Sequence, residues 1–334
     1  MTSSDEARLK GRRFRPWRRL APLTPLLLTG CSGGTFRVFD PRGPVARASL
    51  NFTIIDVVVM AFIIVPTACF IVWSLWRYRR SRAAAYSPGF SHSLKLEAVM
   101  WGIPIIVVAG LAYASYNGTF AVDPYGPHVL RMPARAGHSH PLKIDVVATD
   151  WQWLFIYPKQ HVASVDRLVV PAGRNVEFRL TSTSVVNDFF IPQLTDMIDV
   201  MPGMRTKDAM RANGKGSYEG FAANFSGAGF SWMRFATDVV SRQGFVKFVR
   251  HAAAAPTALT YTAFERLARP TINLHQRPRY FSAPAPHLFR RIVQASRNGK
   301  TYPVPPRLTE TMARDLRAGA SYFSHPPASG GTSG

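Results

Sequence analysis

Cysteine is nearly missing from this chain: Cys31 and Cys69 are the only two in 334 residues, and both precede residue 70. The long second half can therefore carry no disulfide framework and no cysteine-based metal site. Acidic residues are scarce as well, 19 Asp+Glu against 41 Lys+Arg, which leaves a formal net charge of +22. A balance this basic points to nucleic acid or an anionic membrane as a partner. Charged residues of both signs make up only 18% of the chain and apolar residues 47%, which excludes general disorder. With 26 prolines and 24 glycines, a simple helical bundle or coiled coil is excluded too.

The placement of the cations decides between the two partners. Seven lie between Arg8 and Arg19, and five more (Arg77, Arg79, Arg80, Arg82 and Lys95) follow a long apolar run. Membrane proteins distribute charge this way. The basic leader continues into a short apolar stretch at 20–28 and then Leu28, Thr29, Gly30 and Cys31. Basic, apolar and small-residue regions in that order read as a secretory signal over residues 1–30. A cysteine directly after Leu-Thr-Gly is similar to the lipobox of bacterial lipoproteins, so Cys31 is the expected lipidation site.

Residues 57–76 are 20 positions without a charge, and residues 98–116 are another 19. At about 1.5 Å per residue each crosses about 30 Å of hydrocarbon. Trp73, Trp76, Tyr78 and Trp101 supply aromatic belts, and Pro66 and Pro104 are tolerable inside membrane helices. We expect an outer segment at 31–50, a first span at 51–76, a loop at 77–96 and a second span at 97–117. The cations between the spans place that loop in the cytoplasm, and with it the remainder of the chain in the periplasm of a two-membrane bacterium. Asp56 and Glu97 sit at opposite mouths of these spans, where charges usually face headgroups. Nucleic acid is excluded as a partner, because the basic residues beyond the leader and loop are dispersed and lie outside the cytoplasm.

After a connector at 118–141 the pattern changes to period two. Leu142, Ile144, Val146 and Ala148 alternate with Lys143, Asp145 and Val147; Val176, Phe178 and Leu180 alternate with Glu177 and Arg179. Further strand-like runs fall at 151–157, 167–170, 185–191, 218–225 and 230–237, separated by turn signals at Gly173, Pro202, Asn213 and Gly227. Such spacing predicts an all-β sandwich or barrel over 142–250. The pattern turns helical at 241–248, further helical runs at 259–267 and 286–295 define a C-terminal extension over 251–300, and a tail follows at 301–334. His138 and His140 lie two apart in the connector, and spacing alone assigns them to the surface rather than to zinc.

Several strings then become specific: 150–158 (DWQWLFIYP), 184–192 (SVVNDFFIP), 201–205 (MPGMR) and 220–233 (GFAANFSGAGFSWM), with 91–99 (SHSLKLEAV), 262–268 (TAFERLA) and 280–282 (YFS) around them. Together, and in this order, they resemble subunit II of the haem–copper respiratory oxidases. The resemblance implies two transmembrane helices followed by a cupredoxin-like periplasmic domain with C-terminal helices. In the cytochrome c-oxidising branch that domain holds a dicopper centre, whose thiolate, imidazole and thioether donors suit copper. Carried over by position, the first histidine falls on Asn187, the two cysteines on Ala222 and Ser226, the carbonyl-donating glutamate on Asn224 and the second histidine on Phe230. The methionine alone persists, as Met233. The chain thus most resembles the quinol-oxidising branch, the bo-type ubiquinol oxidases.

That resemblance implies ubiquinol as substrate of the complex rather than cytochrome c. It implies no cofactor in this chain, with haems and copper in subunit I, and subunits I, III and IV and membrane lipids as partners. Glu97 matches the glutamate at the cytoplasmic mouth of a proton channel. Trp151 and Trp153 match an aromatic pair that passes electrons in the copper-bearing branch; with no copper behind them they are expected to pack at the interface with subunit I. The residues alone also leave open a free-standing membrane-anchored lipoprotein whose β-domain binds a ligand or partner.

Overall fold

The computed structural model describes residues 37–79, 93–123, 140–271, 277–303 and 310. The leader, Cys31, Arg80, Arg82, His92, His138 and most of the tail lie outside the described residues.

A 3-10 turn (Arg37–Phe39) precedes helix α1 (Pro44–Arg77), which starts well ahead of the span expected from 51. Pro44 explains the early start: at the first helical position its missing N–H is no loss and its fixed φ is already helical. With 34 residues, α1 is about 51 Å long, more than a bilayer core needs, so its first turns stand outside. Helix α2 (Leu94–Val122) begins behind Ser93, whose hydroxyl faces the Leu96 N–H at 3.5 Å. Pro66 and Pro104 lie inside the two helices without ending them. Neither apolar window is buried by the rest of the chain, so both helices turn valines, isoleucines and tryptophans outward, as membrane spans do.

The domain after α2 is a two-sheet sandwich. One sheet has the order β11-β3-β2-β1-β5-β8, formed by β1 (Leu142–Thr149), β2 (Gln152–Tyr157), β3 (Val162–Val165), β5 (Asn175–Ser182), β8 (Thr206–Arg211) and β11 (Arg279–Ser282). The other has the order β4-β10-β9-β6-β7, from β4 (Arg167–Pro171), β6 (Asn187–Phe190), β7 (Ile198–Val200), β9 (Gly216–Ala222) and β10 (Arg234–Val240). Pairings β1–β5 and β4–β10 are parallel and the rest antiparallel. The run expected at 230–237 divides into a 3-10 turn (Phe230–Trp232) and β10. The run at 218–225 ends its pairing at Ala222, where the chain leaves the sheet.

Between the sheets lies the expected core. Leu142, Ile144, Val146 and Ala148 meet Phe178, Leu180, Phe189 and Phe235 there. A second core was not foreseen. On the outer face of the first sheet, Val147, Leu154, Ile156 and Val165 are covered by Phe264, Leu267, Leu288 and Ile292. These come from α4 (Tyr261–Leu267) and α5 (Leu288–Arg297), which follow α3 (Arg242–Ala253). Strand β2 is accordingly buried at all six positions, as strands covered on both faces are. Each large side chain so buried contributes about 1.5–3 kcal/mol.

The stretch before α1 is fastened to the sandwich. The Arg42 N–H donates to the Gln193 carbonyl at 2.7 Å, and the Asn213 N–H donates to the Arg42 carbonyl at 2.9 Å. A Cβ at Gly43 would lie 2.7 Å from the Arg211 carbonyl oxygen, so only glycine lets the chain pass this close. Val45 and Ala46 are buried just beyond.

Candidate functional site

The six positions matched to copper ligands lie on β6, at the end of β9 and on the loop from β9 to β10. Asn187 opens β6 and is buried. Its amide donates to the Val185 carbonyl at 3.2 Å, while its Oδ1 has no partner. Ala222 ends β9 and is buried; its N–H donates to the Met233 carbonyl at 3.0 Å. Asn224 is half-buried. Ser226 is buried with its hydroxyl unpartnered. Phe230 packs edge-on against exposed Phe225, with ring centres 5.5 Å apart. Met233 is buried at the start of β10.

Trp151 seals this loop. Its indole N–H donates to the Ser226 carbonyl at 2.9 Å, and its ring lies on Gly227 and Gly229. A Cβ at Gly227 would come 3.0 Å from Trp151 Cζ2, and one at Gly229 would overlap the ring. Trp153 lies deeper, fully buried, edge-on to Phe189 at 5.4 Å and to Phe235 at 5.7 Å. Its indole N–H faces the Met233 carbonyl at 3.4 Å. Trp151 and Trp153 are 3% and 0% exposed within this chain, covered by its own loop and opposing sheet.

Carboxyls near the loop are perturbed. Asp188 follows Asn187 and stands directly across from Asp199 in the β6–β7 register. Burial, and a hydrogen bond shared with Asp199, push its carboxyl up to about 6. Burial also raises Asp150, against the opposing effect of the hydroxyl that Ser184 donates to it.

Glu97 lies in the first turn of α2, exposed, its N–H donating to the Ser93 carbonyl at 3.0 Å. A carboxylate there complements the positive end of the helix. Asp56 is exposed on α1 beside a small cleft that also takes in Ser49, Ser115, Thr119 and Asp196. Asp196 belongs to the sandwich. Burial raises its pKa, and a hydrogen bond from Ser49 opposes that rise. Sequence reading missed this bond between the domain and α1; the Gly43–Pro44 pair, which marks a helix start, was the available signal. Cys69 is exposed on α1. Among the described residues no three His, Cys, Asp or Glu side chains converge as a metal site would need.

A sandwich of this order, carrying an aromatic-sealed loop between β9 and β10 and preceded by two apolar helices, is the arrangement of the oxidase subunit II class. Residues 156–240 match the family described as cytochrome c oxidase subunit II, periplasmic domain, and residues 253–295 match the COX aromatic rich motif. The chain is 41% identical over 249 residues to cytochrome bo(3) ubiquinol oxidase subunit 2 of Pseudomonas putida, covering 74% of this chain and 76% of that protein. It is 38% identical over 278 residues to the subunit of the same name from Pseudomonas aeruginosa (83% and 80% covered). It is also 38% identical over 275 residues to ubiquinol oxidase subunit 2 of Acetobacter aceti (82% and 86% covered). The chain belongs to the ubiquinol oxidase subunit II family, and so to a two-helix membrane subunit of the respiratory chain.

Proposed function

We propose that this chain is a non-redox subunit II: it braces a quinol-oxidising, oxygen-reducing and proton-pumping partner without carrying electrons itself. The observation that supports this is the donor set on the loop. Asn187, Ala222, Asn224, Ser226 and Phe230 offer no thiolate and no imidazole, and a single thioether at Met233 does not hold a dicopper group. The space is also taken, since Trp151 covers Gly227 and Gly229. The residues present do not fit copper, so no electron-transfer step is assigned to this chain. Haems and copper belong, on this reading, to subunit I, and subunits III and IV complete the complex.

Glu97 is the proposed carboxylate at the mouth of a proton channel. Its position supports this: the exposed first turn of α2, on the side where the arginines at the end of α1 mark the cytoplasm. Its role is to exchange protons with bulk water and pass them to groups in subunit I. Cys31 is the proposed lipid attachment point, with the sandwich in the periplasm.

The test uses the complex purified from membranes in mild detergent through a tag on this chain. Oxygen uptake with reduced ubiquinone, none with reduced cytochrome c, and no copper assigned to this subunit are the expected results. Turnover on cytochrome c would overturn the reading, and a haem-free preparation would favour a free-standing lipoprotein. Glu97→Gln is expected to slow quinol-driven turnover without changing haem content. Unchanged turnover would remove Glu97 from the proton path.

A further inference from the structure

A cavity lies away from the loop just discussed, between the outer face of the first sheet and α5. It encloses about 960 Å³, the size of a site for a substantial ligand. Its rim carries Arg179, Arg205, Arg290 and Arg297, and the only acid lining it is Asp145. That carboxylate is already engaged: Arg179 grips it through both oxygens at 2.5 and 2.7 Å, and its side chain is 5% exposed. The pocket therefore holds a surplus of guanidinium charge, with Arg205 and Arg290 exposed at its mouth.

Two of the four arginines, Arg179 and Arg297, are placed rather than loose. The Arg179 guanidinium lies 5.5 Å over the Phe289 ring, and the Nε of Arg297 donates to the Gly203 carbonyl at 2.7 Å. Gly203 takes a positive φ of 69°, and a Cβ there would meet Arg297 Cγ at 2.9 Å, so this wall closes only with glycine. Between the charges the lining is apolar, from Ile156, Leu288 and Val293. An occupant must therefore present carboxylates or other anions at the rim and apolar side chains within.

Two other sources fit poorly. The tail, residues 304–334, carries three arginines (Arg307, Arg314 and Arg317) against two acids, Glu310 and Asp315, so it does not complement a cationic rim. Bilayer headgroups fit poorly because Arg205 precedes β8, whose far end abuts the start of α1. Six strand residues separate the pocket from that junction by about 20 Å.

We propose that this arginine-rimmed cavity docks an acidic segment of a partner chain, with carboxylates on Arg205 and Arg290 and apolar residues against α5. The inference stands whether or not the chain carries electrons.

The test uses the full chain in mild detergent and a fluorescein-labelled peptide in which glutamate alternates with leucine, read by anisotropy at low salt. The chain's overall positive charge requires a matched control. R205E/R290E reverses two rim charges, and K247E/R250E reverses two exposed cations on α3. Binding at least about tenfold weaker for the first pair and nearly unchanged for the second is the expected result. Equal weakening by both would reduce the effect to overall charge and overturn the proposal. Displacement of the peptide by inorganic phosphate would leave only an ion site, and displacement by phosphatidylglycerol nanodiscs a lipid site; either would overturn it as stated. Equal binding of a glutamate-only peptide would remove the apolar wall from the recognition.

Discussion

Asp208 on β8 is 5% exposed, yet no cation pairs with it: its oxygens accept the Thr195 hydroxyl at 2.9 and 2.8 Å and the Ala209 N–H at 2.7 Å. Burial pushes its carboxyl up to about 7 from the ordinary 3.8, more than these bonds lower it, and Asp196 adds to the rise. The folded chain then holds a proton that the unfolded chain releases between those two values. Stability from this group is fully present below about pH 4 and fades as pH rises toward 7. Between pH 5 and pH 8 the loss comes to about 2–3 kcal/mol, an upper figure for a single carboxyl. Asp208→Asn keeps a neutral side chain that can accept the Thr195 hydroxyl at every pH. Thermal unfolding of the purified chain, followed across pH 5–8, should show the midpoint of the parent falling several degrees more than that of the variant. Equal falls in the two proteins would mean that Asp208 is ionised in the fold at pH 5 and would refute the reasoning.

Removing one member of the Arg179–Asp145 pair by Arg179→Leu leaves a buried carboxylate without its fork. It should cost about 3–5 kcal/mol in denaturant unfolding, much of it recovered in R179L/D145N. Gly220 stands opposite Phe235 in the β9–β10 register, and a Cβ there would overlap that ring. Gly220→Ala should therefore cost about 1–3 kcal/mol, and a neutral result would show that the aromatic core relaxes freely. Trp153→Ala, emptying a fully buried site among Phe189 and Phe235, should cost about 3–5 kcal/mol, measured the same way. It should leave association with partner subunits intact if the ring serves only this chain's core.

What the sequence revealed follows the reach of each signal. Charge-free runs as long as a bilayer read directly as helices, since Val, Ile and Phe without cations have no soluble alternative at that length. Alternation at Leu142, Ile144, Val146 and Ala148 gave β1 and its inward face correctly. It failed at Val147, which looked solvent-facing and is covered by residues more than a hundred positions later. No local pattern carries that contact, because the covering helices are short and their own faces are legible only once a sheet is there to receive them. Trp151 and Trp153 were identifiable as special from their motif, but the packing of Gly227 and Gly229 under the Trp151 indole was not legible there. The pocket beneath α5 has no sequence signature at all: its arginines come from three separated segments.

The bond between Asp196 and Ser49 has a geometric consequence for assembly. From Ser49 to Val57, where the charge-free run of α1 begins, is eight helical residues, a rise of about 12 Å. The lipid headgroup layer occupies about 5–8 Å of that rise on each side of a bilayer. The sandwich is thus held near the point where the charge-free run of α1 begins, so a tilt of that helix carries the domain with it.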